Sequence, residues 1–125
     1  MTRDDLIVLA VDDDMINLKL LKSMLMKTNK VKEVIEAKNG SDAIGVLKNR
    51  DDVDLMLLDI IMPIMNGIEV LKVVRADENL KQLPIIVLTT DETKKAEALE
   101  CGANGFLTKP IRHDELLRQI SNMIV

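Results

Sequence analysis

Short β-branched and aliphatic runs alternate along the chain with longer stretches in which apolar residues return every three or four positions. The runs LIVLAV (6–11), VKEVIEA (31–37), DLMLL (54–58), IIVLT (85–89) and GFLT (105–108) predict strands. Between them Leu18, Leu21 and Leu25 fall on one helical face, with Lys19, Lys22, Ser23 and Lys27 elsewhere. Ala43, Ile44 and Leu47 repeat the spacing, as do Val70, Leu71 and Val74. Ala96, Ala98 and Leu99 predict a weaker helix, and Leu116, Leu117, Ile120 and Ile124 a clear final one. Asn-Gly at 39–40 and 66–67, Pro84 and Gly102 mark the breaks.

Strands alternating with helices imply right-handed crossovers and a parallel sheet covered on both faces. Strands 1, 3 and 4 are almost entirely apolar, as strands buried on both sides should be, whereas Lys32, Glu33 and Glu36 make strand 2 an edge. With no repeat, low-complexity stretch or linker, residues 1–125 are expected to form one domain.

Composition narrows the function. Seventeen basic residues against twenty-one acidic ones leave a net charge of −4, which argues against nucleic-acid binding. No apolar run approaches the ~18 residues of a membrane span, and the acids of MTRDDLIVLAV do not suit a signal peptide, so a cytoplasmic location is expected. Cys101, the single cysteine, excludes an internal disulfide. It is expected to be a small half-buried residue of helix 4, and His113 a terminus residue of helix 5. Phe106 is the only aromatic residue, too few for a base-stacking platform.

In an open parallel sheet, ligands bind beyond the carboxyl ends of the strands. Here those ends carry Asp12, Asp13 and Asp14 after strand 1, Asp59 after strand 3, Thr89 and Thr90 after strand 4, and Lys109-Pro110 after strand 5. Each has an ordinary explanation alone: a solvated loop and helix cap for the aspartates, a strand end for Thr89, a surface turn for Lys109. Their convergence on one edge does not. Asp12, Asp13 and Asp59 make a hard, oxygen-rich pocket suited to Mg²⁺, and the absence of a His or Cys ligand set disfavours zinc. A carboxylate so placed can attack phosphorus, with Lys109 adding a point charge and Thr89 a hydroxyl donor.

VDDD (11–14), LLDIIMPIMNG (57–67) with its D-x-x-M-P-x-x-x-G pattern, VLTTDE (87–92) and KP (109–110) together resemble the receiver domain of two-component response regulators. The resemblance covers the whole chain. It implies a flavodoxin-like, doubly wound α/β fold: a five-stranded parallel sheet in the order 2-1-3-4-5 with five helices. It further implies that Asp59 accepts a phosphoryl group from a histidine kinase, with Mg²⁺ held by Asp12, Asp13, Asp59 and the carbonyl of Ile61. Thr89 and Phe106 would then form a switch working on a face of helix 4, strand 5 and helix 5, and Ile61 and Asp91 would tune hydrolysis. A protein of this kind is a signalling switch and not an enzyme; it contacts a downstream protein, with or without a further output domain, as a monomer or a phosphorylation-dependent dimer. Two other readings fit less well. An aspartyl-phosphate hydrolase would want D-x-D where Asp59 is followed by Ile60 and Ile61, and a degenerate receiver would have lost an acid or the lysine. No Walker-type G-x-x-x-x-G-K-[ST] motif is present.

Overall fold

The computed structural model describes residues 5–123, so Ile124, expected on the apolar face of the final helix, lies outside the described residues. The elements run β1 (Leu6–Val11), α1 (Met15–Met26), β2 (Val31–Ala37), α2 (Gly40–Asn49), β3 (Leu55–Asp59), α3 (Gly67–Ala76), β4 (Ile85–Thr89), a 3₁₀ turn (Glu92–Lys94), α4 (Lys95–Glu100), β5 (Gly105–Thr108) and α5 (His113–Met123). All strand pairs are parallel, in the order β2-β1-β3-β4-β5. This is the flavodoxin-like order expected from the sequence, with β2 at an edge.

Alternation along each strand divides the core into two layers. Leu9, Val11, Met56, Leu58, Ile85 and Val87 pack with residues of α2, α3 and α4. Val8, Ala10, Leu55, Leu57, Ile86 and Leu88 face the opposite way, onto Leu18, Leu21 and Leu25 of α1 and Leu116 and Ile120 of α5. The helical spacings read from the sequence find these layers, except that Leu117 of α5 is only half-buried and that in α4 Ala98 is buried while Ala96 and Leu99 are exposed.

Three local features depart from a plain hydropathy reading. Strand β3 begins one residue later than expected and includes Asp59, because Asp59 continues the ladder opposite Leu88 while the Asp54 carboxylate accepts the Ile7 N–H at 2.9 Å. The two Asn-Gly pairs are helix starts: Asn39 caps α2 through the Asp42 N–H, and Asn66 caps α3 in a reciprocal box with Glu69. Arg75, at the end of α3, pairs with no carboxylate among the described residues. Its guanidinium donates instead to the carbonyls of Lys81, Leu83 and Gly102 and to Asn104 Oδ1, at 2.7–3.0 Å. Asn104 Oδ1 also accepts the Ile85 N–H at 2.8 Å, so one side chain joins α3 to the loops flanking β4 and α4.

None of the described helices is long and apolar enough to cross a membrane.

Candidate functional site

The strand alternation that builds the core also sorts the polar residues at the carboxyl edge. Asp12 continues the Val8–Ala10 side of β1, Asp59 the Leu55–Leu57 side of β3, and Lys109 the Leu107 side of β5. The three therefore approach one another above the same layer. Lys109 Nζ donates to Asp12 Oδ2 at 2.7 Å and to Asp59 Oδ2 at 3.2 Å. Asp12 and Asp59 are almost fully buried, at 1% and 5% exposure, while Asp13 is exposed. Carboxylate oxygens of Asp12, Asp13 and Asp59 all lie within 4.8 Å of one another, a grouping that suits one hard cation. Asp14 stands apart from it: its carboxylate caps α1 by accepting the Ile16 N–H at 2.9 Å.

Electrostatics set the protonation of this pocket. Burial pushes the Asp59 carboxyl above its ordinary value; Lys109 opposes the rise and Asp12 reinforces it. Burial alone would lower the Lys109 pKa, yet the hydrogen bond to Asp12 and the charges of both carboxylates outweigh it and hold the ammonium above its ordinary value. Lys109 thus stays protonated throughout the neutral range, a fixed positive charge against the Asp59 oxygen.

Asp59 is placed by backbone as much as by charge. Its Oδ1 accepts the Ile61 N–H at 3.3 Å, and the Gly67 N–H donates to the Ile60 carbonyl at 2.8 Å, folding the start of α3 against the end of β3. A Cβ on Gly67 would stand 2.4 Å from the Asp59 carbonyl oxygen, so the glycine of the D-x-x-M-P-x-x-x-G stretch is required by close approach. Ile61 is 55% exposed on the loop directly after Asp59.

Thr89 and Phe106 occupy the other parity. Val87 pairs with Phe106 and Thr89 with Thr108, and Phe106 packs, half-buried, against the α2–α4 layer. Thr89 is fully buried, and its hydroxyl oxygen accepts the Asp91 N–H at 3.3 Å. The Asp91 carboxylate accepts from both the N–H and the hydroxyl of Thr93, capping the 3₁₀ turn, and those bonds hold its pKa below the ordinary carboxylate value. Cys101 is the half-buried C-cap of α4, and His113 opens α5 with its ring Nε2 3.3 Å from the Met24 carbonyl.

Four structural participants carried no usable sequence signal: Arg75, Gln119, Glu92 and Thr108. Gln119 Nε2 donates to the Phe106 carbonyl at 3.2 Å, and Thr108 Oγ1 donates to Glu92 Oε1 at 3.1 Å. A residue whose partner is a backbone carbonyl, or a side chain sixteen positions away, leaves no periodic trace.

Comparison with known proteins gives one consistent result. Residues 8–121 match the family model described as the response regulator receiver domain. A chemotaxis protein CheY homolog of Campylobacter jejuni is 34% identical over 120 residues, covering 94% of this chain and 91% of that protein. The Arabidopsis thaliana two-component response regulator ARR21 is 36% identical over 112 residues, 89% of this chain, which spans only 18% of that relative. Among solved structures, the receiver domain of the sensor histidine kinase PA1611 from Pseudomonas aeruginosa, determined with a magnesium ion coordinated in its active-site cleft, superimposes with a TM-score of 0.84 at 27% identity, covering 94% of this chain and 95% of that one.

Proposed function

The chain belongs to the response regulator receiver domain family, and from that membership we propose that it is a phosphorylation-driven signalling switch whose phosphoacceptor is Asp59. The observation that carries this reading is the Lys109 ammonium spanning Asp12 and Asp59, beside a third carboxylate, at the edge where a parallel sheet takes its ligands. In the reaction, a carboxylate oxygen of Asp59 attacks the phosphorus of a kinase phosphohistidine, the P–N bond breaks, and the imidazole leaves with the electron pair. Asp59 needs no separate base, being ionised once the pH exceeds its raised pKa. Lys109 then faces the added phosphoryl oxygens as a compact positive charge. Thr89 turns its hydroxyl toward them, releasing the Asp91 N–H that it now accepts.

Asp12, Asp13 and Asp59, with the Ile61 carbonyl, would hold Mg²⁺, and their all-oxygen donor set fits that ion. When bound, the ion offsets the negative charge gathered at the phosphoryl group. Asp13 is exposed and has no ion pair with Lys109. Asp13→Ala is therefore expected to leave the fold intact and to slow labelling by acetyl phosphate at least about tenfold, corresponding to about 1.4 kcal/mol of barrier. A chelator should do the same to the wild type. Undiminished labelling under either treatment would remove the metal from the mechanism.

The test of the whole reading is mass spectrometry after incubation with acetyl phosphate and Mg²⁺, with one phosphoryl group expected on Asp59. The partners proposed are a histidine kinase as donor and a protein target, or an attached output domain, that reads α4, β5 and α5. Residues 1–125 are taken as one receiver unit.

The lifetime of the acyl phosphate should depend on Ile61. Its exposed aliphatic side chain stands beside the phosphoacceptor and can neither donate nor accept a hydrogen bond to an incoming water. The Asp91 carboxylate, held by Thr93, is the weaker influence. Ile61→Asn is expected to hasten loss of label from purified phosphoprotein by about tenfold, which needs about 1.4 kcal/mol. A variant that keeps its label as long as the wild type would refute this.

A further inference from the structure

The segment from Asp91 to Glu100 is held very differently at its two ends. From Glu92 through Glu97 every residue is exposed, and in α4 only Ala98 is buried. Burial, the largest source of attachment for a surface helix, is almost missing here. The carboxyl end is nonetheless fixed firmly. The Gly102 carbonyl accepts from Arg75 Nε at 3.0 Å and Nη2 at 2.7 Å, and the Ala103 N–H donates to Ala98 O at 3.0 Å. Asn104 Oδ1, itself bound by Arg75, ties the same corner to β4 through the Ile85 N–H. At the amino end, among the described residues, one bond between side chains crosses to β5, from Thr108 Oγ1 to Glu92 Oε1 at 3.1 Å. The Asp91 N–H to Thr89 bond is the other tie at that end.

We propose that the 3₁₀ turn and α4 form a lever that pivots on the Arg75–Gly102 corner, and that the Thr108–Glu92 hydrogen bond is the clasp keeping it in the resting position. This rests on the reading of Thr89 as the hydroxyl that turns toward the phosphoryl group. Once Thr89 turns, the Asp91 N–H loses its acceptor, and the clasp is the remaining side-chain tie across to β5. Gly102, at φ +105°, places the bend at a residue without a Cβ, directly after the last turn of the helix. The clasp is exposed and its acceptor is a carboxylate, so it biases a two-state equilibrium without locking it. Its strength therefore sets how much of the unphosphorylated protein already has the lever released.

The test uses the whole chain and three substitutions: Thr108→Val, which keeps the branched strand residue but removes the donor; Glu92→Ala, which removes the acceptor; and Glu92→Gln, which keeps a carbonyl oxygen. The readouts are amide chemical shifts and the rate of labelling by acetyl phosphate, a donor too small to need a docking surface. Thr108→Val and Glu92→Ala are expected to move the amides of residues 91–98, before phosphorylation, toward the positions the wild type takes with beryllofluoride, while Ala103 and Asn104 stay in place. Both should label about threefold faster, the population change that one exposed hydrogen bond can hold. Glu92→Gln should remain close to the wild type. Wild-type shifts and rates in either Thr108→Val or Glu92→Ala would overturn the clasp while leaving the receiver reading intact, provided that the wild type labels on Asp59. A wild type that takes no label would overturn both.

Discussion

Asp59→Asn is expected to take up no phosphoryl group at all, from acetyl phosphate or from a phosphorylated kinase. The amide is nearly the same shape, and Lys109 keeps its 2.7 Å bond to Asp12, so the pocket should persist. What disappears is the ionised oxygen that attacks phosphorus. The same substitution should raise the melting temperature by a few degrees at pH 7. Burial and the neighbouring Asp12 hold the Asp59 pKa above its ordinary value, so the folded chain binds that proton more tightly than the unfolded chain does. Stability from this group is accordingly full below the ordinary carboxylate range and is lost as pH rises through the raised folded value. At pH 7 the wild type bears that loss and the amide does not. Mass spectrometry and a thermal melt check the two halves; an acid-stable phosphate on Ser or Thr in the variant would contradict the first, and a lowered melting temperature the second.

Gly67→Ala should be among the most destabilising single changes available outside the core. The added Cβ would meet the Asp59 carbonyl oxygen at 2.4 Å and the Ile60 Cα at 2.8 Å, both backbone atoms that cannot rotate away. Relief requires α3 to lift from the end of β3, straining the 2.8 Å bond from the Gly67 N–H to the Ile60 carbonyl and shifting Asp59 itself. A loss of about 2–4 kcal/mol is expected, the scale of overpacking plus a broken buried hydrogen bond. Labelling of Asp59 should fall with it. Gly45, where a Cβ would meet nothing within 4 Å, provides the contrast. Gly45→Ala in the interior of α2 should stabilise by roughly 0.5–1 kcal/mol. Urea titrations of the two variants measure both signs, and coincident wild-type midpoints for Gly67→Ala would show that the approach is looser than described.

Much of this architecture was legible because burial writes itself into spacing. Leu18, Leu21 and Leu25 predict the buried face of α1, and the bounds of β1, β2, β4 and β5 coincide with their apolar runs. The acids and the lysine of the pocket were legible for a different reason: each stands at or just beyond the carboxyl end of a strand, and parallel strands end together. Hydropathy misplaced the end of β3, since a buried aspartate still pairs through its backbone opposite Leu88. It also over-read α4, whose Leu99 has the right period but is 43% exposed, since the six-residue helix buries only Ala98. Gly67 was visible as part of a motif, but the reason for it, a 2.4 Å approach to a carbonyl, exists only once two elements have met. Arg75 was invisible throughout, because its acceptors are three carbonyls and an amide brought together by folding.

The two-layer core gives the molecule a built-in pair of spectroscopic gauges. Leu57 and Leu58 are consecutive, equally buried and chemically identical, yet their methyl groups sit in opposite layers, one against α1 and α5 and the other against α2, α3 and α4. With methyl labels on leucine alone, a signal travelling beneath α4 should displace the Leu58 resonances and leave Leu57 nearly still. One that enters through α5 should do the reverse. The direction in which a disturbance leaves Asp59 could then be read from two neighbours on a single strand.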